Sequence, residues 1–172
     1  EYDRVVIGSS LPRFNYGGSL SLAYKEFDFL LTFQGVGKKD AILTDQMAQP
    51  VRADWYNVPE IILGKYWSNY NTDEQNKAAQ YPRIMRDANA NNYAASDFWL
   101  FDGSYFRIKN ITLGYTFPAK LMKKITANRL RVYANIQDFF TFSHYPKGWD
   151  PEVSTTGYPI TKSITFGASI QF

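Results

Sequence analysis

The stretch KSITFGASIQF, residues 162–172, decides the fold. Lys162, Ile164, Phe166, Ala168, Ile170 and Phe172 share one phase, and Ser163, Thr165, Gly167, Ser169 and Gln171 share the other. A period of two puts these sets on opposite faces of a β-strand. One face is oily and ends on an aromatic, while the other is small and polar. That is the pattern expected of the closing strand of a transmembrane β-barrel.

Four more segments carry the same alternation. In 14–24, Tyr16, Leu20, Leu22 and Tyr24 oppose Asn15, Ser19 and Ser21, and in 27–36, Phe27, Phe29, Leu31 and Phe33 oppose Asp28, Leu30, Thr32 and Gln34. Lys25-Glu26 is the expected tight turn between them, although it lacks the Asn-Gly signature. In 99–117 the phase changes: Phe106 and Ile108 lie on one phase, and Ile111, Leu113, Tyr115 and Phe117 on the other. One extra residue near Lys109-Asn110, a β-bulge, would return both sets to one face. In 129–140, Leu130, Val132, Ala134 and Ile136 oppose Arg129, Arg131, Tyr133, Asn135 and Gln137. The second set is too polar for a dry core and suits a wet interior.

The segments between are long. Residues 37–98 and 141–161 are rich in Gly, Pro, Asn and Asp with scattered aromatics. A connection of roughly 60 residues is foreign to a compact domain, whereas barrels combine short turns on one side with long loops on the other. A short helix is expected within 54–66 and a capped turn at Asn71-Thr72-Asp73-Glu74. The sequence therefore predicts an all-β chain, about five strands of a large antiparallel barrel with extracellular loops 37–98 and 141–161 and a periplasmic C-terminus.

Composition narrows the chemistry. The 172 residues contain no Cys, which excludes disulfides and thiolate chemistry within the chain. No apolar run approaches the length of a transmembrane helix. The net charge of +3 is dispersed, with no arginine stripe for nucleic acid. His144 is the only His, so a zinc site is not expected. Asp102-Gly103 lacks the further alternating carboxylates of a calcium loop. Gly35-Val36-Gly37-Lys38 lacks the spacing of a phosphate loop. No catalytic pair stands out, and neither an enzyme nor a cofactor is expected. The start, Glu1 to Arg4, has neither an initiator Met nor a signal region, and the chain reads as the tail of something longer.

Several phrases, in order, resemble the C-terminal part of the SusC/RagA family of TonB-dependent outer-membrane transporters. They are YGGSLSLAYKEFDFLLTFQG (16–35), YPR (81–83), SDFWLFDGSYFRIKNITLGYTFP (96–118), LRVYANIQDFFTFSHYPKGWDPE (130–152) and the closing KSITFGASIQF. The resemblance implies a barrel of about 22 strands whose plug and earlier strands lie outside this chain. It also implies active import of glycan, oligosaccharide or peptide across the outer membrane of Bacteroidetes. The implied partners are a SusD-like surface lipoprotein acting as a lid, TonB through an upstream segment, the barrel-assembly machinery and outer-membrane lipid, with no nucleic acid.

Residue roles follow from the two readings together. Ile164, Phe166, Ala168, Ile170 and Phe172 look like a barrel-assembly signal. Arg107, Lys109, Arg129, Arg131, Asn135 and Gln137 are expected to face the lumen, because a charge in lipid is costly. Trp55, Trp67, Tyr93, His144, Tyr145 and Trp149 are loop residues that could contact substrate or lipoprotein, since aromatics offer rigid area with a polar handle. Packing within the loops is the commoner role for such residues. Two other functions share parts of the pattern: a passive porin-type diffusion barrel, and a soluble carbohydrate-binding β-sandwich, which would bury one face of each strand.

Overall fold

A computed structural model describes residues 4–43, 51, 57–85, 92–122, 126–153 and 157–172. In chain order the strands are β1 (Phe14–Tyr24), β2 (Phe27–Gly37), β3 (Asp40–Ile42), β4 (Leu100–Asp102), β5 (Tyr105–Thr116), β6 (Arg129–Ser143) and β7 (Ser163–Gln171). Short helices lie at α1 (Asp73–Lys77) and α2 (Ala119–Met122). The chain forms two compact units. A sheet unit comprises 12–38, 104–143 and 160–172, and a loop unit comprises 1–11, 39–103 and 144–159.

The sheet unit is a five-stranded antiparallel sheet of order β1-β2-β5-β6-β7. Its register follows the alternation. Leu22, Phe29, Leu113, Ala134 and Phe166 pair in one row across all five strands. The adjacent row, Ala23, Asp28, Gly114, Tyr133 and Gly167, falls on the opposite face. One face is thus apolar throughout, and the other carries hydroxyls, amides and charges. Lys25 makes the β1–β2 turn in the left-handed region, at φ 53°.

The bulge sits at Lys109. Thr32 pairs with Asn110 and Phe33 with Ile108, so β2 skips Lys109. On β6 the pairing jumps from Phe140 to Gln137, leaving Asp138 and Phe139 opposite that single residue. Asp138 takes φ 55°, which Asp tolerates better than most residues, and binds Lys109 Nζ at 2.6 Å. The offset keeps Ile108 and Ile111 on one face, in pairing with Phe140 and Ile136. At Gly35 the sheet needs a missing side chain: a Cβ there would enter the ring of Tyr16, which lies across from it.

The structure corrects the expected fold class. The sheet is open. Its end strands β1 and β7 do not pair with each other, and the second sheet is only the β3–β4 pair. Neither a closed barrel nor a 22-stranded one is formed by this chain. Alternation specifies that a sheet has two unlike faces, which is equally true of an open sheet. The expected localisation, an integral outer-membrane β-barrel with extracellular loops and a periplasmic C-terminus, falls for the same reason, because an open sheet edge cannot be accommodated in hydrocarbon. No helix among the described residues is long and apolar enough to cross a membrane. The sandwich reading fares no better. Leu20, Leu22, Leu113, Phe142 and Phe166 on the apolar face are all exposed, Phe166 at 78 %, where a sandwich would bury them.

The loop unit has a core of its own. Ile62 (0 % exposed), Tyr81 and Trp99 are buried together, with Ile42, Leu43, Val58, Tyr66, Ile84 and Tyr93 packed around them. Within 54–66 the described helical element is a single 3₁₀ turn, Glu60–Ile62. Helix α1 begins at the capped turn: Thr72 Oγ1 accepts from Gln75 N–H, and Gln75 Oε1 accepts from Thr72 N–H. The segment read as one strand over 99–117 is two. β4 pairs with β3, and β5 joins the large sheet after Gly103-Ser104.

Candidate functional site

The loop unit holds a cleft built on the β3–β4 pair. Ala41 faces Phe101 and Ile42 faces Leu100. Leu43 N–H donates to Trp99 O at 3.0 Å, and Gly103 N–H to Lys39 O at 2.8 Å, extending the ladder at both ends. Asp40 fastens the N-terminal segment. Its N–H donates to Ser9 O, and its carboxylate accepts from Ser9 N–H, both at 2.9 Å.

The segment after β6 supplies the facing wall. Pro146 to Trp149 form a turn, with Trp149 N–H donating to Pro146 O at 3.2 Å and Gly148 at φ 91°, the positive value that the third position of a type II turn requires. Asp150 closes the next turn by accepting from Glu152 N–H at 2.9 Å. Tyr145 meets Phe101 edge to face, with centroids 4.9 Å apart and planes at 90°. His144 Nδ1 lies 3.2 Å from Asp102 Oδ2 in an exposed pair. The result is a cavity of about 340 Å³ lined by Ser10, Lys39, Asp40, Ala41, Ile42, Leu43, Phe101, Tyr145, Trp149, Pro151, Glu152 and Val153.

Of the loop residues picked from the sequence, the structure brings Tyr145 and Trp149 to this cleft, with His144 beside it on Asp102. Tyr93 packs instead on the Ile62–Tyr81–Trp99 core. Trp67 is exposed, and its backbone N–H donates to Tyr81 O. Trp55 lies outside the described residues. Burial pushes the Tyr81 hydroxyl above its ordinary range and does the same to Tyr93, where a hydrogen bond with the Met85 backbone opposes it. Sequence reading missed Ile42, Phe101, Pro151 and Val153. Phe101 had one usable signal, its place beside the Asp102-Gly103 turn.

The polar residues picked from the strands lie on the polar face or at the bulge. Arg107 is 3 % exposed and donates from Nε to Thr141 Oγ1 at 2.8 Å. Lys109 is tied to Asp138. Arg131 reaches Asp28 through two bonds, Nε to Oδ1 at 2.9 Å and Nη2 to Oδ2 at 2.5 Å. Asn135 donates to Asn110 and Thr112, and Gln137 accepts from Ser163. Arg129 is exposed at the start of β6. Ile164, Phe166, Ala168 and Ile170 line the apolar face of β7, and all are exposed, as is Phe172. Among the described residues no group of three or more His, Asp or Glu is placed to hold a metal ion.

No family model matches the chain. Curated proteins do. The chain is 29 % identical to TonB-dependent receptor P3 of Formosa agariphila over 99 % of its own length and 17 % of that protein's. It is 41 % identical to TonB-dependent receptor SusC of Bacteroides thetaiotaomicron over 45 % of its own length and 8 % of that protein's. Among solved structures, the RagAB peptide importer in its closed-closed state matches with a TM-score of 0.69 at 22 % identity, covering 97 % of this chain and 18 % of that one. Its open-open state matches at 0.68 and 21 %. These structures share the fold of the chain. Together the matches establish distant homology to the SusC/RagA group of TonB-dependent receptors, a transporter family. The chain spans less than a fifth of the length of these relatives.

Proposed function

We propose that the chain is part of a TonB-dependent importer that carries an oligomeric nutrient, peptide or glycan, across the bacterial outer membrane beneath a SusD-like lipoprotein lid. The observation that carries this reading is homology extending over 99 % of the chain to a TonB-dependent receptor. The fold shared with the RagAB peptide importer over 97 % of the chain supports it.

In this reading the chain contributes two things. The sheet supplies a stiff two-faced scaffold whose polar side is internally hydrogen-bonded. The loop unit supplies an aromatic cleft where solute or lid can be held. Coupling to TonB is assigned to segments outside the chain.

The test is genetic. Deleting the gene should abolish growth of its host on either peptide or glycan oligomers as the sole source, and deleting TonB should abolish it equally. Affinity purification of the intact protein should bring down a surface lipoprotein. Uptake that survives loss of TonB would overturn active import in favour of passive diffusion.

A further inference from the structure

Most charged and amide side chains on the sheet's polar face are bonded to one another. Arg107 bonds Thr141, Arg131 bonds Asp28, Asn135 bonds Asn110 and Thr112, and Gln137 bonds Ser163. Two amides on this face differ. Asn15 on β1 and Gln34 on β2 make no side-chain hydrogen bond among the described residues. The register makes them diagonal neighbours, since Asn15 faces Val36 and Gly17 faces Gln34, which sets the two residues roughly 7–8 Å apart. Gly17 leaves the space between them open. A Cβ there would stand 3.0 Å from Phe33 O and 3.6 Å from Gln34 Cβ, so a side chain at 17 would fill it. The result is a notch of about 380 Å³ bounded by Asn15, Gly17, Gln34, Val36 and Tyr105. Its floor is pinned from the other face. There the Tyr16 ring lies across Gly35, and its hydroxyl donates to Tyr105 O at 3.4 Å, tying β1, β2 and β5 beneath the notch. No lining residue carries a charge. Arg107, opposite Gln34 on β5, is 3 % exposed and held by Thr141. Each amide offers two donors and an acceptor, and the volume is at the low end of ligand pockets. Such a notch matches one small uncharged group that both donates and accepts.

We infer that this notch is a subsite for a neutral donor–acceptor group of the solute, a carboxamide or a pair of adjacent hydroxyls. The inference rests on the import reading and adds to it a place where the solute touches the sheet. Asn15 and Gln34 hold the group from two strands, and Val36 covers its apolar edge. The shared chemistry has two sources. Asparagine and glutamine side chains carry the carboxamide, and a saccharide ring carries the hydroxyls.

The experiment uses the intact importer purified with its lipoprotein partner. Three probes are titrated by calorimetry: Ala-Ala-Gln-Ala-Ala for the carboxamide, maltohexaose for the hydroxyls, and an all-alanine pentapeptide with neither on a side chain. Asn15→Leu combined with Gln34→Met removes both amides at nearly constant size. It should weaken the glutamine peptide or maltohexaose about tenfold, the loss expected of two neutral hydrogen bonds, and move the alanine peptide by less than about twofold. Gly17→Val fills the notch and keeps the amides, and it should weaken the same probe by about threefold or more. Gln137→Met, which alters an amide of the same face already bonded to Ser163, should leave that probe unchanged. Unchanged far-UV circular dichroism and partner co-elution certify folding, and the two notch variants act in different ways, so a failure of one to fold leaves the other to decide. The probe that responds names the source of the group. Binding of both probes that ignores a folded notch variant would overturn the subsite, as would a wild type that binds neither. TonB-dependent uptake beside an insensitive notch would leave import standing and sink only the subsite. TonB-independent uptake would sink import itself and the subsite with it.

Discussion

Gly114 offers the sharpest test of how the sheet's polar face is held. It lies on β5, paired with Asp28 on β2 and Tyr133 on β6. Arg131 reaches across it to grip Asp28 through two bonds. A Cβ at 114 would collide with both the carboxylate and the guanidinium, so Gly114→Ala must part them. The pair is partly solvated, with Asp28 37 % and Arg131 26 % exposed. Its two-point geometry places it at the upper end for exposed pairs, about 1 kcal/mol. Against that loss, alanine in a strand interior gains about 0.5–1 kcal/mol over glycine by restricting the unfolded chain. Gly114→Ala should therefore be nearly neutral in the wild type. In an Asp28→Ala background, where the end of Arg131 is free to swing away, the same change should stabilise by about 0.5–1 kcal/mol. The coupling between the sites is then about 1 kcal/mol. Urea unfolding in mild detergent, followed by far-UV circular dichroism, reports the sheet. The described Trp residues, Trp67, Trp99 and Trp149, fall in the loop unit, so tryptophan emission is an internal control that should not move. Additivity, with Gly114→Ala shifting both backgrounds equally within about 0.5 kcal/mol, would refute the reasoning.

Three further outcomes follow from other parts of the molecule. Burial raises the Tyr81 and Tyr93 hydroxyls, so the folded loop unit holds these protons more tightly than the unfolded chain. That stability is complete below the ordinary tyrosine value near 10 and is lost as pH rises through the raised folded values. Trp emission should show a urea midpoint that is flat from neutrality to about pH 9 and falls beyond about pH 10, and Tyr81→Phe with Tyr93→Phe should flatten the fall. Ile62, fully buried beside Tyr81 and Trp99, should cost about 2–5 kcal/mol when cut to alanine, seen as a red shift of Trp emission before the sheet's dichroism changes. On the apolar face, Phe166→Lys combined with Leu113→Lys should raise the monomeric fraction of the isolated 172-residue chain in detergent-free buffer on size exclusion. An unchanged profile would mean that this exposed face does not drive self-association.

The sheet was legible because its signal is local. Tyr16 to Tyr24, Phe27 to Phe33 and Leu130 to Ile136 each repeat every second residue, and the register sets all of them on one face. Even the bulge showed, as a change of phase between Ile108 and Ile111. Closure did not show, because whether β1 and β7 meet depends on edges and not on faces. β3 and β4 have three residues each, too few for any period to emerge. The cleft was half visible: Tyr145 and Trp149 stood out as aromatics in a long connection, but their wall residues Ile42 and Phe101 come from distant parts of the chain and look ordinary in sequence. Tyr93, another aromatic in a long connection, packs on the loop unit's core. An aromatic in a long connection reads as a contact residue until that connection is found to have its own core around Trp99.

The polar face of the sheet largely commits its side chains to one another. Arg107 is spent on Thr141, Lys109 on Asp138 and Arg131 on Asp28, while Asn135 and Gln137 bond to neighbouring strands. These hydrogen bonds are turned inward between strands, so the face holds strand register. Lys109→Met should loosen the bulge and lower the sheet's stability to urea by about 0.5–1 kcal/mol, the worth of a partly exposed pair. An unchanged unfolding curve by far-UV circular dichroism would mean that the Lys109–Asp138 pair does not hold the bulge.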